Sequence, residues 1–438
     1  MKKVVKFGGS SLASAEQFMK VGKIIRSDEN RVFVVPSAPG KRDSEDTKVT
    51  DMLLAAYSAA SEGRDASSIL SAIKQRYDEI IKGLSLKGFS LDEDFEEIAE
   101  SLRTAPEKDY TASRGEYLNG KIMAEYLGIS FIDAKDVIFF NEEGNLNSYK
   151  TEKYLSKALA QTQRAVIPGF YGQGKDGRVK TFSRGGSDVT GSLVAQACKA
   201  DIYENWTDVS GFLVADPRIV KNPEVIEYIT YRELRELSYM GASVLHEDAI
   251  FPVRHCGIPI NIRNTNAPED PGTWIVESTC QRQPHTITGI AGKKGFCTML
   301  ITKAMMNSEI GFGRKVLQAL EENNISFEHM PSGIDTMTVV IHESEFLSKE
   351  QSVVSAVHRL AEPDSVEIKS GLALIAVVGR GMESAHGTAG KLFSALAEKD
   401  INVRIIDQGS SELNIIIGVK ESDFENAIKA IYDKFIKG

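Results

Sequence analysis

The sequence predicts an α/β protein in which an N-terminal sandwich with a mainly parallel central sheet precedes two small C-terminal ferredoxin-like units. Three observations predict it. The early strand candidates are apolar runs with little polar alternation, separated by helical stretches, which is the pattern of a parallel sheet covered on both faces. The chain has 438 residues, enough for two or three domains with their own cores. The last third repeats itself at a fixed offset.

In chain order, Val4-Val5-Lys6-Phe7 is a short β-branched run that stops at Gly8-Gly9-Ser10-Ser11. A helical stretch follows to about Arg26. Residues 31–35 form a second buried run, closed by Pro36-Ser37-Ala38-Pro39-Gly40. From about Asp51 to Leu127 the pattern is mostly helical, with Ser90-Leu91-Asp92-Glu93 reading as a capping box. Further strand candidates are residues 165–167, 201–206, 259–263 and 274–276, and residues 189–197 read as a helix.

A forward step of 76 carries the apolar run 297–302 onto 373–378 without a gap. The same step carries Gly311 to Gly387, Lys315 to Lys391, Leu320 to Leu396, Ile325 to Ile401 and Gly333 to Gly409. Glycines match as well as apolar positions, so coincidence between two amphipathic helices is a poor explanation. Each copy reads as strand, glycine-opened helix, two strands and helix, a βαββαβ plan. The expected domains are 1–290, 291–365 and 366–438, with the last residues pairing back onto the first repeat.

Composition narrows the function. Lys plus Arg is 52 and Asp plus Glu is 61, so the formal charge is −9. That balance disfavours a general nucleic-acid binder. No apolar run approaches the roughly 20 residues of a membrane span, and the N-terminus lacks a secretory pattern. The four cysteines form no CxxC pair and read as reduced thiols, which fits a cytoplasmic protein. The seven histidines show no metal-binding spacing, so no metal site is expected from protein side chains.

Two glycine pairs carry the chemistry. Lys6-Phe7-Gly8-Gly9-Ser10-Ser11 places a lysine at a strand end, then two residues without Cβ, then a helix. Such a turn lets backbone N–H groups approach an anion, and a lysine beside it suits a transferring phosphate. It also reads as a plain glycine turn with a snorkelling lysine. Thr181-Phe182-Ser183-Arg184-Gly185-Gly186-Ser187-Asp188 is the second pair. Arg184 suits a carboxylate, and Asp188 reads either as a site residue or as an N-cap. Asn205-Trp206-Thr207-Asp208 follows a strand, on the expected ligand face. Asp208 can meet a nucleotide or a metal, or serve an Asx turn together with Ala215-Asp216-Pro217. Ser113-Arg114-Gly115-Glu116 is either a capping box or a carboxylate for a substrate ammonium.

Taken together these segments, with Ser37-Ala38 and Gly241-Ala242-Ser243-Val244-Leu245-His246, resemble the aspartokinases of the amino-acid kinase family. The resemblance spans nearly the whole chain in order, and the doubled C-terminal unit looks like that family's tandem ACT domains. It implies an amino-acid-kinase-type fold and transfer of the γ-phosphoryl of ATP, with Mg²⁺, to the β-carboxylate of L-aspartate. By the same resemblance Lys6, Gly8 and Gly9 would hold the phosphate and Asp188 would orient Lys6. Arg184 would bind an aspartate carboxylate and Glu116 the ammonium, with Ser37 and Thr50 also on the substrate. Ser10, Thr207, Asp208, Leu213, Arg218, Ser243 and Val244 would meet the nucleotide. The chain departs from the family at Ser243, where relatives carry a lysine, and at Leu213, where an aromatic residue is common.

A paired regulatory unit beside a biosynthetic kinase implies feedback by lysine and/or threonine and a homo-oligomer joined through the ACT domains. Met306, Gly311, Ser332 and Asp335 are the effector-site candidates; a core role for Met306 and a turn role for Asp335 are the alternatives. An acetylglutamate kinase is disfavoured by Ser113-Arg114-Gly115-Glu116 and by the repeat. An inactive amino-acid sensor is disfavoured by Lys6, Arg184 and Asp188. No GxGxxG unit follows the repeat, so a fused dehydrogenase is not expected.

Overall fold

The computed structural model describes residues 1–183, 185–242, 250–279 and 284–438. They divide into two compact units. The first comprises Met1–Phe212, Val225–Arg232 and Val244–Gln281, and the second Leu213–Glu224, Glu233–Ser243 and Arg282–Gly438.

The first unit is built on β1 (Lys3–Phe7), β2 (Arg31–Pro36), β3 (Ser130–Phe131), β4 (Ala165–Val166), β7 (Ile202–Thr207), β8 (Tyr228–Thr230), β9 (Ile260–Asn264) and β10 (Thr273–Val276). A separate antiparallel hairpin joins β5 (Tyr171–Gln173) and β6 (Val179–Thr181). The sheet order is β3-β4-β2-β1-β7-β9-β10-β8. Neighbours are parallel except β9 and β10. The central strand β1 is buried on both faces: Val5 and Phe7 share a core with Phe18, Leu53, Tyr77, Phe95 and Ile122 of five helices. That explains why its sequence lacks alternation.

Those helices are Ala15–Arg26, Val49–Ser61, Ser67–Gly83, Asp92–Thr104 and Lys108–Leu127. The first is capped by Ser14, whose hydroxyl accepts from the Gln17 amide at 3.4 Å, and it carries Lys23 and Arg26 in its last turn. The box expected at Ser90 does not form. Leu91 occupies the cap of Asp92–Thr104, while the Ser90 hydroxyl accepts from the Asp92 amide at 3.0 Å. Strands β3, β5, β6 and β8, and the helices Ser148–Ala160 and Tyr231–Tyr239, were not expected. These strands span two or three residues each, too few to leave a periodic signal. Among the described residues no helix is long and apolar enough to cross a membrane.

The second unit holds β11 (Gly289–Thr302), β12 (Thr336–His342), β13 (Ser365–Val378), β14 (Ile405–Asp407) and β15 (Asn414–Lys420), antiparallel in the order β12-β11-β13-β15-β14. The 76-residue step reaches the backbone. Gly311 and Gly387 both cap helices, Phe312–Glu322 and Thr388–Ala397, at φ 85° and 82°. Asn324 and Asp400, after those helices, take φ 50° and 54°.

The two repeats share one sheet because each long strand serves both. Residues 296–302 of β11 pair with β12 and with residues 365–372 of β13, while residues 289–293 pair with 374–378. The second repeat therefore takes its last strand from ahead of the first. This corrects the expectation that the C-terminal residues pair back: Asp433–Lys437 is a π-helical turn.

Candidate active site

The site grows from the carboxyl ends of adjacent parallel strands. In β1, Lys6 lies level with Val35 of β2 and Asn205 of β7. That register brings Lys6, Ser37 and Thr207 to one rim of the sheet. Lys6 is buried, with 8 % of its surface exposed, and its Nζ lies 2.6 Å from Asp188 Oδ1. The same oxygen accepts from Asn205 Nδ2 at 2.8 Å. A charge at this depth persists only with a partner, so Asp188 and Asn205 fix where the ammonium stands.

Asp188 does not cap its helix. Gly185, at φ 57°, occupies the cap of Gly186–Ala197, and Asp188 stands in the first turn with its carboxylate turned to Lys6. A left-handed cap is natural for glycine, which accounts for the second glycine pair locally.

The first pair divides its labour. A Cβ on Gly8 would lie 3.7 Å from Lys6 Nζ, in ordinary contact, so a larger side chain would grow toward the ammonium. A Cβ on Gly9 would lie 2.8 Å from the Ala38 carbonyl oxygen. Gly9 therefore lacks a side chain because the 38–40 backbone crosses it, and the Gly40 amide donates to the Gly9 carbonyl at 2.8 Å. Ser10 follows in the 3₁₀ turn Gly9–Leu12.

Beside this cradle runs Lys108–Leu127. Ser113 to Glu116 lie within it, past its first turn, so the capping-box reading is overturned. The Ser113 hydroxyl donates to the Tyr110 carbonyl at 2.6 Å, and Arg114 lies over the Tyr110 and Tyr117 rings. Glu116 is 5 % exposed. Burial pushes its carboxyl up to about 8, while the Ala38 amide and the Lys6 charge pull the other way. Its Oε2 has no hydrogen-bond partner among the described residues. At Gly115 a Cβ would sit 2.8 Å from Ala38 Cβ and 3.8 Å from Thr50 Oγ1. Asn119, one turn past Glu116, donates to the Ser37 carbonyl at 2.6 Å. Ala38, next to Ser37, and Thr50 thus border the helix turn that carries Glu116, whose Oε2 is buried with no donor among the described residues. A ligand ammonium supplies such donors.

The nucleotide candidates are less gathered. Thr207 ends β7, and its hydroxyl donates to Asp208 at 3.2 Å. Leu213 and Arg218 belong to the second unit. Arg218 is exposed and holds Asp216, with Nε 3.0 Å from both carboxylate oxygens. This contact holds the Asp216 carboxyl below the usual range, and the Arg218 amide completes the expected Asx turn at 2.8 Å. Arg184, Ser243 and Val244 lie outside the described residues.

In the second unit Met306 is a core side chain, packed with Phe312 and Val316. Asp335 Oδ1 accepts from the Met305 amide at 2.8 Å, a turn role. Ser332 bridges to Met337, and Gly311 opens its helix. The sequence assigns no positioning role to Asn205 or Asn119. The signal was present for Asn205, a polar residue inside the buried run 202–206.

The amino acid kinase family model matches residues 1–264, and an ACT domain model matches residues 375–435. Aspartokinase 3 of Bacillus subtilis is 42% identical, covering 100% of this chain and 99% of the relative. The aspartate kinase of Clostridium acetobutylicum, described as an allosteric enzyme, superposes with a TM-score of 0.90. Its identity is 50%, with 99% of this chain and 100% of that chain covered. E. coli aspartokinase III, in its R-state complex with aspartate and ADP, gives a TM-score of 0.74 at 25% identity, covering 99% of each chain. The same enzyme's T-state complex with lysine and aspartate gives 0.73 at 25% identity, with equal coverage.

Proposed function

The chain belongs to the amino acid kinase family, among its aspartokinases, and from that premise we propose that it transfers the γ-phosphoryl of ATP to the β-carboxylate of L-aspartate, giving 4-phospho-L-aspartate. The observation that carries this is the buried Lys6–Asp188 pair at 2.6 Å beside Gly8, with the buried Glu116 carboxyl near enough to feel the Lys6 charge.

The chemistry asks little proton transfer. A carboxylate is already nucleophilic at neutral pH, and the obstacle is bringing it onto an anionic phosphate. Positioned cations and backbone N–H groups remove that obstacle by place and charge. Lys6 meets the transferring phosphoryl, and Asp188 with Asn205 holds its ammonium in place. Gly8 leaves the approach open. Glu116, ionised on binding, receives the substrate ammonium, with Ser37 and Thr50 beside it; Arg184 takes a substrate carboxylate. Mg²⁺ bound together with ATP would neutralise part of the phosphate charge. The test is ADP release with ATP and Mg²⁺ against aspartate, acetylglutamate and glutamate, with acyl phosphate trapped by hydroxylamine. Aspartate alone should yield hydroxamate; a preference for acetylglutamate would overturn the assignment.

The second unit is the regulatory one in this reading, sensing lysine and/or threonine as end products of the pathway that the reaction opens. The site lies in the first repeat, around residues 305–311 and 332–335. Support comes from exposure: Met305 is 72% exposed and Ile310 fully so, while the matching residue Gly381 lies against Thr286. Exposed Met305, Ile310 and Ile334 also favour the first repeat as the surface through which copies of the chain pair. Its unpaired described cysteines suit a cytoplasmic enzyme.

A further inference from the structure

The charged segment 41–48 lies between the two halves of the site. We propose that Arg76 is a positioning residue that sets the separation between the phosphate cradle and the acceptor pocket; this rests on the phosphoryl-transfer reading above.

Arg76 belongs to Ser67–Gly83 and is only 4% exposed. One terminal nitrogen donates to the Thr47 carbonyl at 2.6 Å. The other donates to the Gly40 carbonyl and lies 3.1 Å from Asp46 Oδ2. A single guanidinium therefore ties both ends of the segment and a carboxylate within it.

Each end leads to one reactant. At one end, the Gly40 amide holds the Gly9 carbonyl at 2.8 Å, and a Cβ on Gly40 would stand 2.5 Å from Gly9 C. Gly40 cannot move without moving the glycine pair. At the other end Lys48 caps Val49–Ser61, and the Val49 amide donates to the Pro39 carbonyl at 3.2 Å. Thr50 lies in that helix's first turn, facing Gly115 and hence Glu116's turn of helix. The segment is a clasp with the phosphoryl group at one end and the acceptor at the other.

The pin is matched to its job. Two carbonyls and a carboxylate suit a planar fork with several fixed donors; a lysine ammonium is a point charge on a flexible stem and lacks that fixed geometry. Burial lowers the proton affinity of Arg76 and Asp46 counters it. The Arg42 side chain and amide hold the Asp46 carboxyl far below its usual range, so that counter-charge persists through ordinary pH.

Separation matters because transfer needs the carboxylate oxygen in line with the phosphorus. Loosening the clasp admits water in its place. Water oxygen then bonds to the γ-phosphorus, the bond to ADP breaks, and phosphate and a proton are released.

The experiment measures hydroxamate formed per ADP released, in the full-length chain at saturating ATP and aspartate. For Arg76→Lys the account expects kcat down about 10-fold and the ratio down several-fold, since misplacement by about 1 Å costs rates of that order or more. Asp46→Asn should move both in the same direction by less. A fall in kcat with an unchanged ratio in both variants would mean a merely structural arginine and overturn the proposal, as would no change at all. If Arg76→Lys fails to fold, Asp46→Asn decides alone. Failure of the underlying reading shows separately, as a wild-type chain that makes no hydroxamate.

Discussion

Glu116 shows how one buried group ties stability to substrate. Its folded value of about 8 lies above the ordinary carboxyl value of 4.5, so the folded protein binds the extra proton. The stability this contributes is complete below the ordinary value and is lost as pH rises toward about 8. In the proposed role, aspartate binding would run the other way, because the ammonium would need the ionised form. The KM for aspartate should therefore fall as pH rises from 6.5 toward about 8, and Glu116→Gln should flatten that profile while raising KM throughout. A Glu116→Gln variant with the wild-type profile would remove Glu116 from the substrate site. At Ser243 the missing family lysine leads to a second expectation: Ser243→Lys should lower the KM for ATP, and an unchanged value would show that the charge is supplied by another residue. Lys6 and Asp188 were legible because glycine pairs flank them. Asn119 was not, since a lone asparagine carries no spacing that separates a positioning role from a turn, and Asn205 offered only its polarity inside a buried strand.

At the scale of elements, the two glycines after β1 make different demands that their shared sequence hides. Gly9→Ala puts a methyl 2.8 Å from a backbone oxygen, whereas Gly8→Ala finds only ordinary contact. Gly9→Ala should lower stability by about 1–3 kcal/mol, in the range of core overpacking, and Gly8→Ala should change thermal stability little. Equal melting temperatures for the two variants would contradict the crossing of residues 9 and 40. The long apolar strands and amphipathic helices could be read from periodicity. Of the two readings of Ser113–Glu116, the capping box fails because Ser-x-x-Glu also occurs inside a helix, and here it lies past the first turn of Lys108–Leu127. In the second unit, Gly295 and Gly371 stand 76 apart at φ 89° and 77°, and both lie in the shared strands β11 and β13. Register shifts on either side of Phe296, the first of them spanning Gly295, mark where β11 passes from one repeat to the other.

Over the whole molecule, the repeat was legible and its wiring was not. A fixed offset reveals two copies, but a strand lent from ahead of the first copy leaves no trace in sequence, because pairing partners carry no label. Residues 213–224 and 233–243 likewise belong to the second unit, though they precede most of it in the chain. Arg380 donates to Glu233 at 2.9 Å and Asn414 to Glu236 at 2.6 Å within that unit. Lysine and threonine, singly or together, should inhibit the wild-type chain, and replacing exposed Ile310 by Asp should weaken both inhibition and self-association; indifference of the rate to both amino acids would refute the regulatory reading. The central claim concerns Lys6 and is tested most directly by steady-state turnover of Lys6→Ala in a sample with the wild-type circular dichroism and melting temperature. Loss of a positioned cation of this kind predicts kcat lower by about 10²–10³-fold. Turnover within twofold of wild type would contradict it.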